Sequence, residues 1–278
     1  MVPEVAGSSP VDRPFWIITM TSLQALILGL IQGVAEFFPI SSSSHLTIAR
    51  TLMGIPHSEI FLAFDLFCHF GTLIAALYFF RKDIRLIFFQ RRDKLLQILL
   101  AITPLFPAYL LLKPFREMTH QLSLTGYMLI ATSCLLFLGH YLRIKRQASI
   151  SWQRRTQDAV CIGLMQSAAL IPGISRSAST ISCARVLGWN AQESVRFSFL
   201  LAIPTILGGS CLSLLKLTQA TWSLPISLSS CLIGFGASLA AGLAIIGPAI
   251  RCLENGRLRP FAWYCLLLGA CVCFASGF

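Results

Sequence analysis

The chain is poor in charge. Only 12% of its 278 residues are Asp, Glu, Lys or Arg, where a soluble chain carries about a quarter. Acids are the scarcer sign, 11 against 22 basic residues. No Cys-x-x-Cys pair occurs among its ten cysteines, which argues against a disulfide framework or a metal cluster. Most of the ten lie inside apolar runs and read as small buried hydrophobes. Residues 1–22 contain Glu4, Asp12 and Arg13 and no uninterrupted apolar core, so no cleaved signal peptide is expected. What is present is apolar: 55% hydrophobic residues and a mean hydropathy of +0.73. Several apolar runs reach the roughly 20 residues that cross a bilayer core of about 30 Å. The reading is a polytopic membrane protein. Its basic residues sit in short loops between apolar runs, as in cytoplasmic loops, and not on a nucleic-acid-binding face.

Full spans are expected at 61–80, 95–112, 122–142, 193–215, 226–249 and 260–277. Two further apolar stretches, 23–55 and 157–188, are interrupted by polar residues and proline. Each leg is too short to span, and irregular backbone at membrane depth survives only inside protein or beside a wet cavity. Both are therefore read as re-entrant helix pairs. With that topology the loops 81–94, 143–156 and 251–259 share one side and carry six, five and three Lys or Arg. The opposite side holds only Lys113, Arg116 and Lys216. The richer side is then cytoplasmic and both termini lie outside.

The two interrupted stretches resemble each other. A constant offset of 134 pairs Gly29 with Gly163, Gln32 with Gln166, Ser41 with Ser175, Ser43 with Ser177 and Glu59 with Glu193. We read an internal duplication inside one membrane domain, 1–278, with copies at 23–142 and 157–278. Each copy is one re-entrant pair plus three spans. Three is odd, so the copies enter from opposite faces. The expected fold is all-α, with six transmembrane helices and two re-entrant pairs in an inverted-topology repeat.

The copies differ where chemistry would lie. Glu36, Ser42 and His45 face Leu170, Arg176 and Ser179. A carboxylate at membrane depth costs about 2.5–3.5 kcal/mol and usually faces a cavity. Gln32, four residues before Glu36, shares its helical face. Ser41 to Ser44 fit a turn and helix cap, and a serine turn opening a helix also presents free N–H groups to an anion. Ser175, Ser177 and Thr180 repeat the arrangement, and Arg176 supplies a fork suited to phosphate or an ion pair to Glu36. His45, three residues past Ser42, completes a nucleophile, base and orienting-acid set. Asp65 and His69 share a face of the first span and are read as structural partners. Glu59 and Glu193 are placed at helix starts, with Asn190 to Glu193 as a capping box.

The chain resembles the bacterial undecaprenyl diphosphate phosphatases also linked to bacitracin resistance. Three segments carry the resemblance. They are Gln32 to Glu36 running into Pro39 to His45, then Pro172 to Ser177 with Thr180, and Arg196 to Pro204. Gln32 stands where many members carry Glu, which leaves the acid role to Glu36, and Ser44 where many carry Gly. The resemblance implies hydrolysis of undecaprenyl diphosphate to undecaprenyl phosphate and inorganic phosphate, recycling the lipid carrier for peptidoglycan synthesis in the bacterial inner membrane. It implies catalytic roles for Glu36, Ser42, His45 and Arg176, and substrate contacts from Gln32, Ser41, Ser175, Ser177 and Thr180. The nucleophile is Ser42, water or His45. The resemblance also implies a divalent cation, Mg or Ca, although Glu36 is the one obvious hard ligand. Membrane lipid and the lipid substrate are the expected partners, and a homodimer is compatible with the reading. A lipid-phosphate transporter or flippase using the same site is the alternative, since inverted repeats with broken helices mark transporters. The type-2 phosphatidic acid phosphatases are rejected, because no His follows Ser175-Arg176.

Overall fold

Four helices of this chain start where a hydroxyl side chain precedes the first turn. The computed structural model describes residues 20–55, 61–114, 122–142, 152–219 and 226–277. In order come α1 (Ser22–Ala35), α2 (Ser42–Leu52), α3 (Leu62–Phe79), α4 (Arg81–Phe89), α5 (Arg92–Ile102) and α6 (Leu105–Leu111). They are followed by α7 (Leu122–Tyr141), α8 (Trp152–Ser167), α9 (Arg176–Val186), α10 (Ala191–Gln219), α11 (Leu228–Glu254) and α12 (Arg259–Ala275). Thr21, Ser41, Ser175 and Ser227 cap α1, α2, α9 and α11 through their side chains, each satisfying an otherwise orphaned N–H. Among the described residues there is no strand.

Five segments are long and apolar enough to cross a membrane: Leu62–Phe79, Arg92–Leu111, Leu122–Tyr141, Ala191–Thr218 and Leu228–Glu254. The sixth expected span, Arg259–Ala275, is apolar but has 17 residues. The expected span 95–112 is broken between α5 and α6. Pro104 has no N–H to give Leu100 O, and the Thr103 hydroxyl donates to that carbonyl instead, at 2.8 Å. Part of the expected loop 81–94 is helical, as α4. Glu59, Arg116, Arg143, Lys145, Arg146 and the tail 1–19 fall outside the described residues.

Lipid supplies no hydrophobic drive between spans, so close backbone approach through small residues does the work. α11 lies between α1 and α3 and offers Gly234, Ser238 and Gly242 at four-residue spacing. A Cβ on Gly33 of α1 would lie 2.6 Å from Ser238 O. α7 and α12 meet the same way, and a Cβ on Gly269 would lie 2.8 Å from Gly126 O. Against these long helices pack the short ones: α2 on α1 and α7, and α9 on α7, α8 and α10. At about 1.5 Å per residue, α1 with 14 residues and α2 with 11 are each shorter than the bilayer core. The same holds for α8 with 16 and α9 with 11. The α1–α2 turn is anchored by two aromatics. Phe37 stacks on Phe199 of α10 at 6.0 Å between centroids, and Phe38 on Phe261 of α12 at 5.3 Å.

Candidate functional site

The α1–α2 turn and the α8–α9 turn touch each other. Gly173 N donates to Ser43 Oγ at 3.1 Å, and Ser44 Oγ donates to Gly173 O at 3.3 Å. Ser177 Oγ donates to Phe38 O at 3.1 Å. These bonds join residues about 130 apart in sequence. Thr132 of α7 supports the second turn from behind, accepting from Ser175 N at 3.1 Å.

Glu36 sits at the junction. Its Oε1 accepts from Arg176 Nη2 at 3.0 Å, and its Oε2 accepts from Gln32 Nε2 at 3.0 Å and Ser42 Oγ at 2.8 Å. The side chains of Glu36 and Arg176 are 9% and 15% exposed, so the pair is desolvated, and removing one partner of such a pair costs about 3–5 kcal/mol. Arg176 Nη1 also donates to Ser198 O at 3.3 Å, which pins the guanidinium plane to α10. Thr180 locks that contact, with its hydroxyl 2.6 Å from Ser198 Oγ and donating to Arg176 O at 3.0 Å.

A cavity of about 450 Å³ opens on this junction, and Glu36, Ser41, Ser42, Ser175, Arg176 and Ser177 all line it. α2 and α9 both begin at its wall. Ser41 Oγ takes Ser44 N and Ser175 Oγ takes Ala178 N, each at 3.3 Å. The N–H groups of Ser42, Ser43, Arg176 and Ser177 have no acceptor among the described residues. Two helix N-termini and a guanidinium thus converge on one space, an arrangement that favours a phosphate. The rest of the wall is mixed: Leu62, Leu66, Leu105 and Ile206 are apolar, while Gln166, Thr205, Ser210 and Ser213 are polar.

Of the residues expected from sequence, Glu36, Ser42, Arg176, Ser41, Ser175 and Ser177 meet at the cavity. Gln32 and Thr180 stand one layer back, against Glu36 and Arg176. His45 does not line the cavity. Its Nδ1 is 2.7 Å from Ser41 O and its Nε2 is 2.7 Å from Tyr264 Oη of α12. His69, set aside as structural, is in the wall. Nor is it the side-chain partner of Asp65: that carboxylate is held bidentately by Arg50 of α2, and His69 Nδ1 bonds to the Asp65 carbonyl at 2.8 Å. An intramembrane histidine with no residue committed to it by motif was the available signal. Ser198 and Thr132 gave none, since hydroxyls are common inside helices.

The cavity does not fit a protein-held divalent cation. Among the described residues no three His, Cys, Asp or Glu side chains cluster as ligands. The two carboxylates of the wall are already engaged, Glu36 by three donors and Asp65 by Arg50. No step below runs through a metal.

The sequence of residues 25–271 matches the family model described as bacitracin resistance protein BacA. Curated relatives carry the name undecaprenyl-diphosphatase. One from Protochlamydia amoebophila is 42% identical over 252 residues, covering 90% of this chain and 96% of the relative. One from Bacteroides thetaiotaomicron is 36% identical, covering 91% and 98%. A third, from Halothermothrix orenii, is 34% identical, covering 93% and 99%. With a family model matching most of its length and relatives aligned nearly end to end, the chain belongs to the bacitracin resistance protein BacA family.

Proposed function

We propose that the protein is an undecaprenyl-diphosphatase of the bacterial inner membrane, which cleaves the lipid diphosphate to lipid monophosphate and inorganic phosphate. One observation carries the reading. Arg176 and the free N–H groups at two helix N-termini face the same small cavity as a serine hydroxyl hydrogen-bonded to a carboxylate, Ser42 to Glu36 at 2.8 Å. The guanidinium and N–H groups hold the terminal phosphate and stabilise charge as it develops. Ser42 attacks its phosphorus in line while Glu36 takes the hydroxyl proton. The anhydride bond breaks and the lipid monophosphate leaves. Water then releases phosphate from the serine. His45, with both ring nitrogens bonded inside the protein, supports the first turn in this scheme.

The site also suggests a side. The cavity wall uses the first half of α3, the last half of α10 and α6. In the topology that puts the basic loops in the cytoplasm, all of these lie toward the outer face. The lipid phosphate therefore enters from the outer leaflet, with its tail along Leu62, Leu66 and Leu105. The short pairs α1–α2 and α8–α9 are re-entrant in this reading and place their turns near mid-membrane, and the two halves form an inverted repeat.

The test is phosphate release from undecaprenyl diphosphate by the purified protein, with the β-phosphate radiolabelled and the reaction quenched in detergent denaturant at neutral pH, where phosphoserine and phosphohistidine both survive. Release of phosphate and label on Ser42 are expected. A protein that binds the lipid and releases none is a carrier, and label on His45 rules out the serine scheme.

A further inference from the structure

Two imidazoles approach the centre of the molecule, and their hydrogen bonds separate them. A carbonyl oxygen only accepts, so a ring nitrogen bonded to one must carry the proton. His45 Nδ1 faces Ser41 O, which leaves Nε2 to accept from the Tyr264 hydroxyl, each at 2.7 Å. Both of its nitrogens are spent. His69 begins the same way, with Nδ1 2.8 Å from Asp65 O. Its Nε2 then presents a lone pair, and that atom has no partner among the described residues. The ring lines the cavity that holds Glu36, Ser42 and Arg176.

The surrounding charges suit a base. Facing His69 are Glu36 and Arg176 from the two turns, Asp65 on its own helix with Arg50 of α2, and Tyr109 of α6. Helices α10 and α11 bring hydroxyls and glycines to this region but no ionised group. Glu36 itself is committed, with one oxygen on Arg176 and the other on Gln32 and Ser42. It is placed to take the Ser42 proton, and once it holds that proton it is no base for a water.

We propose that His69 is a catalytic base, acting through Nε2 on the water that releases phosphate from Ser42. The inference rests on the phosphatase reading above. In the first half-reaction the Ser42 Oγ–P bond forms, the P–O bond to the lipid phosphate breaks, and the serine proton passes to Glu36. In the second, water oxygen bonds to phosphorus and gives a proton to His69 Nε2. The Ser42 Oγ–P bond breaks, and the serine regains its proton from Glu36. His69 returns its proton to the departing inorganic phosphate.

His69→Asn separates this role from a structural one. The asparagine amide N–H replaces the bond to Asp65 O but offers nothing at the Nε2 position. In the full-length purified protein, steady-state turnover is expected to fall about 10²–10⁴-fold. The burst of one lipid monophosphate per chain is kept, and label accumulates on Ser42. Imidazole added to His69→Ala is expected to restore turnover. Turnover of His69→Asn within threefold of wild type overturns the proposal. So does loss of burst and turnover together in a folded variant, or a folded His69→Ala enzyme whose turnover imidazole does not raise. A wild type that releases no phosphate at all contradicts the phosphatase reading instead.

Discussion

Ser41 and Ser175 do the same job with different backbones. Each caps its helix by accepting the N–H three residues on, at 3.3 Å. Yet Ser41 has φ 69° and ψ 95°, while Ser175 has φ −71° and ψ 121°. The second turn places its positive φ in Gly173, at 101°. The sequence offset sets Pro39 opposite Gly173, and a proline ring fixes φ near −65°. The first turn therefore reverses two residues later, in a serine. A non-glycine residue there stores about 1–3 kcal/mol of strain, beside the hydroxyl proposed as nucleophile. The Ser41 side chain meets Ser43 Oγ at 3.2 Å and Ser44 Oγ at 3.1 Å, which holds the strained form. One turn thus carries Glu36 and Ser42 beside a strained backbone, and the other gives the Arg176 guanidinium a relaxed mount.

Substitutions in each turn sharpen the contrast. The largest effect is expected from Arg176→Lys. A single ammonium cannot span Glu36 and Ser198 O while also meeting phosphate, so kcat should fall about 10²–10³-fold, read by phosphate release. Next is Gly173→Ala. Its Cβ would lie 2.6 Å from Met128 Cβ at a φ of 101°. The cost should be about 1–3 kcal/mol, seen as a lowered thermal midpoint in detergent. The smallest is Ser41→Gly. Replacing a serine cap by glycine loses a few tenths of a kcal/mol, against relief of about 1 kcal/mol or more of strain. The net change should be stabilising by at most about 1–2 kcal/mol, with turnover lowered because Ser42 is less firmly placed. A clear destabilisation would mean Ser41 is not strained.

Much of this was legible in the chain itself. The caps at Ser41 and Ser175, the shortness of the legs around them, and the pairing of Glu36 with Gln32 follow from local rules. Asn190 caps α10 as its spacing implies, accepting Glu193 N at 2.8 Å. The break at Thr103–Pro104 was hidden because two weakly polar residues do not lower the hydropathy of an otherwise apolar run. Helix α4 was hidden because a basic stretch reads equally as loop. The directions of the two histidines were not legible at all. His45 is turned by Tyr264, 219 residues away, and only the packing of α12 beside α2 decides that. Arg50 found Asp65 for the same reason, across two helices rather than along one.

The central claim is that a carboxylate from one turn and a guanidinium from the other act as one unit. A double-mutant cycle on kcat, with Glu36→Gln and Arg176→Lys singly and together, measures it directly. Residues that work as a unit are strongly non-additive, so the double variant should fall no more than about tenfold below the worse single one. If the two losses multiply in full, the turns act independently and the shared site is contradicted.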